Sequence, residues 1–244
     1  MGEKVHFLLR DCGIVIAADV TSLDELSHII TLARRVPEVC AIKVGFSLAI
    51  RYGLPAVVRR IKDESNFPTI YDHQKAGTDI PQMGVSFAEA CQAAGVESVI
   101  VFPQAGPLTL EKFVSAAFAS RLIPIVGLVM THPAYLSSEG GYIIDGAPES
   151  ICQISVDAGV SHYVLPGTKT SMIQSFSEGL LTTIRPATIL MPGIGYQGGD
   201  IQHAFNAAKG HRPFAIIGSA IYKAPAPESA LERFAAEVRS WEAR

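Results

Sequence analysis

The fold class predicted for this chain is α/β, a (β/α)8 TIM barrel in a single domain spanning residues 1–244. Three observations predict it. Eight short apolar, β-branched runs recur at a near-constant interval, each is followed by a stretch with helical spacing, and no Pro/Gly-rich linker or change of composition divides the 244 residues. Barrels of alternating strands and helices commonly reach about 250 residues as one unit. A doubly wound sheet would more often show about six strands and a switch point.

The runs are, in order, GIVIAADV, VCAIKVGF, FPTIYDHQ, SVIVFP, IPIVGLVM, HYVLPG, TILMPG and FAIIGS. With strand ends near Asp19, Lys43, Asp72, Phe102, Met130, Pro166, Pro192 and Gly218, the units repeat every 24 to 36 residues. The runs are nearly continuous in apolar residues rather than alternating, as expected of strands covered on both faces. Between the first two, SLDELSHIITLARRV carries Leu23, Leu26, Ile29, Ile30 and Ala33 at helical spacing, with Thr21 or Ser22 placed to cap its start. ESALERFAAEVRSW closes the chain with the same pattern.

Composition excludes several function classes. An apolar fraction of 48% with 18% charged residues is that of a globular protein with a sizeable core. Lysine plus arginine number 20 against 23 acidic residues, a balance unsuited to a nucleic-acid or anionic-membrane surface, so any anionic ligand needs a local site. Cys12, Cys40, Cys91 and Cys152 lack metal-ligand spacing and read as buried core fillers in a reducing compartment. The start, MGEKVHFLLRDC, has charges within its only apolar run and does not read as a signal peptide. The longest apolar stretch, residues 123–130, is too short for a bilayer span. A cytoplasmic location is expected, with neither a nucleic acid nor a membrane as partner.

In a barrel the chemistry sits at the C-terminal strand ends and the loops after them. Three early strands end in charge: Asp19 after the first, Lys43 within the second, and Asp72, Lys75 and Asp79 after the third. Lys43 interrupts an otherwise buried strand, and a buried ammonium requires a partner, which carboxylates on neighbouring strands can supply. Such an array suits stabilising a carbanion and delivering a proton to it. His132 reads either as a general base or as a histidine held by backbone hydrogen bonds. A G-x-S-x-G elbow and a Walker-type loop are both missing, and no His/Cys cluster points to a metal. A second site is expected at strands 7 and 8, where MPGIGYQGGD places Gly193, Gly195, Gly198 and Gly199 before a helix and FAIIGSAIYKAP follows. Glycines there let backbone N–H groups approach a phosphate. A phosphorylated small molecule is the implied ligand.

These residues resemble the orotidine 5'-monophosphate decarboxylase family, within the suprafamily that also holds 3-keto-L-gulonate 6-phosphate decarboxylase and hexulose phosphate synthase. Lys43-Val44-Gly45 looks like the family's strand 2 Lys-x-Gly, and residues 72–81 look like its Asp-Lys-Asp-Ile-Pro signature. Met130-Thr131-His132-Pro133 resembles its Met-Ser-His-Pro, and residues 192–200 resemble its phosphate loop. The magnesium-dependent relatives carry Glu-x-Gly at strand 2, so Lys43 sets this chain apart from them.

The resemblance implies decarboxylation of orotidine 5'-monophosphate to uridine 5'-monophosphate in de novo pyrimidine biosynthesis, with no cofactor and no metal. Lys75 is implied as the acid that protonates the C6 carbanion, Asp72 as its neighbour beside the substrate carboxylate, and Lys43 as the group orienting Asp72. Asp79 is implied to reach the partner subunit's site in a homodimer with shared active sites. Asp19 is assigned a ribose hydroxyl and Thr131 the pyrimidine edge, with Pro192, Gln197, Gly198, Gly218 and Ser219 around the phosphate. The alternatives are a metal-dependent sugar-phosphate decarboxylase or aldolase of the same suprafamily, and a non-catalytic nucleotide-phosphate binder.

Three departures from the family pattern stand out. The element Asp-x-Lys-x-x-Asp has one extra residue in each gap here, so the loop is expected to bulge. Met83 replaces a threonine, removing a hydroxyl from the implied cross-subunit contact. Ser219 stands where the family has arginine. Loss of a guanidinium on phosphate costs roughly 1.5–3 kcal/mol, on the order of 10–150-fold in affinity or efficiency. Lys223 and Lys169 are the candidate cations to compensate.

Overall fold

The computed structural model describes residues 7–73 and 76–243. Eight parallel strands close into a barrel in sequence order, β1 Gly13–Ala18, β2 Val39–Gly45, β3 Thr69–Asp72, β4 Ser98–Val101, β5 Ile123–Gly127, β6 His162–Val164, β7 Thr188–Met191 and β8 Arg212–Ile217. Each predicted apolar run supplies one of them. The predicted ends agree to within two residues except at β5, which stops at Gly127 rather than Met130. There the Phe102 ring from the end of β4 occupies the space a Cβ on Gly127 would fill, 2.1 Å from its nearest ring carbon.

Around the barrel run α1 Leu23–Ala33, α2 Phe46–Tyr52, α3 Leu54–Glu64, α4 Met83–Ala94, α5 Pro107–Ala119, α6 Ala147–Asp157, α7 Thr170–Glu178, α8 Ile201–Ala207, α9 Ser219–Tyr222 and α10 Pro227–Glu242. Ser22 rather than Thr21 is the N-cap of α1: its Oγ accepts the Glu25 N–H, and the Glu25 carboxylate reaches back to the Ser22 N–H. Between β2 and β3 the chain makes two helices, because Gly53 at φ 77° ends α2 and Pro55 opens α3.

The strands are buried on both faces, and two apolar cores result. One lies between strands and helices, built from residues such as Ile14, Ile16, Ile42, Val99 and Ile189 against Leu26, Ile61 and Phe205. The other fills the barrel with Val15, Ala17, Ala41, Ile70, Ile100, Ile125, Val164, Leu190, Phe214 and Ile216. The alternation of side chains along a strand assigns each residue to one core or the other. Below the barrel, Leu8 is fully buried in the inner core, and Arg212 donates to the Leu8 and Arg10 carbonyls at 2.6 and 2.5 Å. That end is sealed, which leaves the opposite mouth open. No helix among the described residues is long and apolar enough to cross a membrane.

Candidate active site

The inward rows of the strands continue to their C-terminal ends, and at β1, β2 and β3 the side chains there change from apolar to charged. Ala17 leads to Asp19, Ala41 to Lys43 and Gly45, Ile70 to Asp72, Leu190 to Pro192, and Ile216 to Gly218. Register pairs Ala17 with Lys43, Lys43 with Ile70, and Gly45 with Asp72, so Asp19 and Asp72 stand one inward step beyond Lys43, whose long side chain reaches up to both carboxylates. Lys43 Nζ lies 2.9 Å from Asp72 Oδ2 and 3.5 Å from Asp19 Oδ1. The side chains of Lys43 and Asp72 are 8% and 11% exposed, while Asp19, at 53%, reaches into solvent. Burial acts to lower the Lys43 pKa, but Asp72 and then Asp19 outweigh it, so the ammonium lies above the ordinary lysine value. Gly45 has a steric reason, since a Cβ there would stand 3.0 Å from Asp19 Oδ1.

A cavity of about 440 Å³ opens over this triad. Its floor is Ala17, Ile100, Phe102, Val164 and Ile216, and its rim includes Thr131, Pro192, Gly193, Gln197, Gly218 and Ser219. Among the described residues, seven predicted site residues besides the triad divide cleanly: Thr131, Pro192, Gln197, Gly218 and Ser219 line the cavity with Asp19, Lys43 and Asp72, whereas Gly198 and Asp79 do not. Asp79 is exposed, with Oδ1 accepting the Ile80 N–H at 2.7 Å and its carbonyl accepting the Thr109 hydroxyl at 2.9 Å. Lys75 lies outside the described residues. On either side of it, Ala76 N–H donates to the His73 carbonyl at 2.5 Å, and Phe102 N–H donates to the Ala76 carbonyl at 2.8 Å. Gly77, within the lengthened spacing, adopts φ 84° and packs where a Cβ would come within 2.5 Å of Val101. Ala76 and Gly77 are thereby seated on the end of β4.

The glycine-rich loop behaves differently from the expectation that its amides face a phosphate. Gly193, Gly195 and Gly198 all have positive φ, between 87° and 93°, and the loop folds on itself. Gly195 N–H donates to the Gly199 carbonyl, Gly198 N–H to Gly195 and Gly199 N–H to Gly193, at 3.1, 2.9 and 3.1 Å. Three glycine amides are thus used within the loop. The turn projects Tyr196 and Gln197 to the cavity, and Asp200 then caps α8 by accepting the His203 N–H.

The sequence reading missed Tyr196, Tyr222 and Phe102 as cavity-lining residues. The Tyr222 hydroxyl donates to the Asp19 carbonyl at 3.3 Å, and the available signal was its place one helical turn after Ser219. His132 is exposed, set edge-on to the Tyr135 ring at 5.7 Å, and does not line the cavity. Among the described residues no cluster of His, Cys, Asp and Glu is arranged to hold a metal.

Residues 13–234 match the family model described as orotidine 5'-phosphate decarboxylase / HUMPS family. The chain is 30% identical over 233 residues to an orotidine 5'-phosphate decarboxylase of Methanosarcina mazei, covering 95% of this chain and 97% of that one. The crystal structure of the Pyrococcus horikoshii OT3 orotidine 5'-phosphate decarboxylase superposes with a TM-score of 0.74 at 28% identity, covering 93% of this chain and 99% of that one. A Methanocaldococcus jannaschii orotidine 5'-monophosphate decarboxylase complexed with the inhibitor BMP shares the fold, with a TM-score of 0.79 at 22% identity over 93% and 98% of the two chains. Sequence match and barrel architecture agree over the same residues, and the chain belongs to the orotidine 5'-phosphate decarboxylase / HUMPS family.

Proposed function

We propose that this chain, as one barrel domain over residues 1–244, decarboxylates orotidine 5'-monophosphate to uridine 5'-monophosphate, a step of de novo pyrimidine biosynthesis. The observation that carries the reading is the buried Lys43–Asp72 pair with Asp19 beside it, set at the mouth of a cavity of about 440 Å³ in a chain of this family. That volume suits a small molecule.

In this reading the bond from C6 to the carboxylate carbon breaks, carbon dioxide leaves, and the electron pair remains on C6. The Lys75 ammonium gives its proton to that carbon, and the resulting amine is reprotonated from solvent. Asp72 stands beside the departing carboxylate, and Lys43 holds Asp72 in place. Charges fixed in a water-poor site stabilise the developing carbanion without reorganising during the step. Asp19 takes a ribose hydroxyl and Thr131 the pyrimidine edge, while Pro192, Gln197, Gly218 and Ser219 surround the phosphate.

The active unit in this reading is a homodimer, with Asp79 reaching the partner subunit's site. Support comes from exposed apolar side chains on the segments that follow three neighbouring strands: Phe46 and Ile50 after β2, Ile80 and Met83 after β3, and Leu108 after β4. A cytoplasmic location accords with four free cysteines, Cys12, Cys40, Cys91 and Cys152.

The test is the loss of orotidine 5'-monophosphate absorbance on adding protein, with Lys75→Ala alongside. Wild-type turnover that survives chelator and vanishes in Lys75→Ala is expected. Near-native turnover by Lys75→Ala would sink the assigned proton donor. Tight uridine 5'-monophosphate binding by a wild-type protein that never turns over would identify a binder instead.

A further inference from the structure

We propose that Lys223 supplies the positive charge for the substrate's phosphate, in the place of the arginine that the family pattern has at position 219; the inference rests on the phosphorylated-ligand reading above. The charges lining the cavity carry the argument. Among its described lining residues the cations are Lys43 and Lys223. Lys43 is already met by two carboxylates, Asp72 at 2.9 Å and Asp19 at 3.5 Å. Lys223 makes no ion pair among the described residues.

Its position fits the role. Lys223 follows Ser219 by four residues, and its N–H donates to the Ser219 carbonyl at 3.0 Å, so one helical turn sets both side chains on the same face. Lys223 and Ser219 line the cavity together with Gly193 and Gln197 of the glycine-rich loop. Three of that loop's four glycine amides, those of Gly195, Gly198 and Gly199, are donated within it, which leaves less of its backbone to meet the phosphate. A phosphate carrying nearly two negative charges gains most from a side-chain cation at this end, where charge-assisted hydrogen bonds are the strong ones.

The other cations nearby are engaged elsewhere. Lys169, the second candidate from the sequence, is paired with Glu139 and does not line the cavity. Arg233 lines a neighbouring cavity of about 650 Å³ behind Gly195 and Tyr196, with its guanidinium over the Phe234 ring at 5.1 Å. Lys223 is exposed, which sets the kind of contribution it makes. A hydrated point charge attracts a phosphate without orienting it in the manner of a bidentate arginine, and its effect is screened by salt.

The test is calorimetric titration of wild type, Lys223→Gln, Lys223→Arg and Arg233→Gln with uridine 5'-monophosphate and with ribose 5-phosphate, at low and high salt. Turnover of orotidine 5'-monophosphate is measured in parallel. Lys223→Gln should weaken both phosphate-bearing ligands about 10-fold at low salt and flatten the salt dependence. Lys223→Arg should retain binding, and Arg233→Gln should leave it unchanged. The proposal is overturned if Lys223→Gln binds both ligands within twofold of wild type, if Lys223→Arg loses as much as Lys223→Gln, or if wild type binds neither ligand. Lys223-dependent binding without turnover would leave this proposal standing and remove the decarboxylase reading.

Discussion

The ammonium of Lys43 and the carboxylate of Asp72 lie 2.9 Å apart with both side chains buried, and Asp72 is the main charge that balances the Lys43 ammonium in the barrel interior. Such a pair is costly to break from one side, because the remaining charge keeps its desolvation penalty. Asp72 has further interactions, which puts the expected cost at the low end of the range for buried pairs.

Lys43→Ala should destabilise the fold by about 3 kcal/mol in urea unfolding. It should also slow decarboxylation by about 100-fold or more, since Asp72 would no longer be held within a fraction of an ångström. A variant with native stability would show that the pair contributes nothing net to folding.

Gly45→Ala tests the close approach of Asp19. The backbone at Gly45, φ −107° and ψ −170°, is open to any residue, so the consequence comes from contact alone. A new Cβ 3.0 Å from Asp19 Oδ1 should push the carboxylate away and loosen its 3.5 Å contact with Lys43. The expected result is KM raised several-fold with stability changed by less than about 1 kcal/mol. Unchanged KM would remove Asp19 from substrate binding.

Ser219→Arg should raise kcat/KM for orotidine 5'-monophosphate by about 10-fold or more, because a guanidinium adds charge-assisted hydrogen bonds to phosphate. Ser219 lines the cavity, so the added side chain starts at its wall. Steady-state kinetics at fixed ionic strength would check this, and an unchanged or lower efficiency would contradict the assignment of this end to phosphate.

Alkaline pH should destabilise the protein from about pH 9 upward. Burial pushes the Cys12 thiol up to about 11, and those of Cys40, Cys91 and Cys152 up to about 12, from an ordinary 9.0. Between those values the unfolded chain has lost thiol protons that the folded chain retains, so stability falls as pH rises, by up to about 1.4 kcal/mol per pH unit for each thiol. Lys43 acts in the same direction at higher pH: its stabilising charge is complete below the ordinary lysine value and is lost as pH climbs through its raised one. Urea unfolding between pH 8 and 11 should show the decline, and Cys91→Ala should lessen its slope. Constant stability up to pH 10.5 would contradict protonated, buried thiols.

The barrel and half of its site were legible in the sequence because both follow from a local rule. Strand side chains alternate with period two, so apolar Ala17, Ala41 and Ile70 place Asp19, Lys43 and Asp72 on the same inward rows one or two steps further along. A lysine inside an apolar strand also announces its need for a carboxylate, because an ammonium buried without one keeps its full desolvation cost. The glycine-rich loop was legible as a special turn, because positive φ favours glycine, but not as a turn that consumes its own amides.

What the sequence determined by itself is the count of strands, the inward parity of the charged residues and the absence of arginine at position 219. Tertiary structure alone decided that β5 ends at Gly127 against the Phe102 ring, that Tyr222 reaches the Asp19 carbonyl, and that Lys169 is held by Glu139 while Lys223 lines the cavity. Each of these joins residues far apart in the chain or brought together by loop closure. Backbone periodicity fixes which way a side chain points from its own strand, but only closing the barrel determines which distant group it meets.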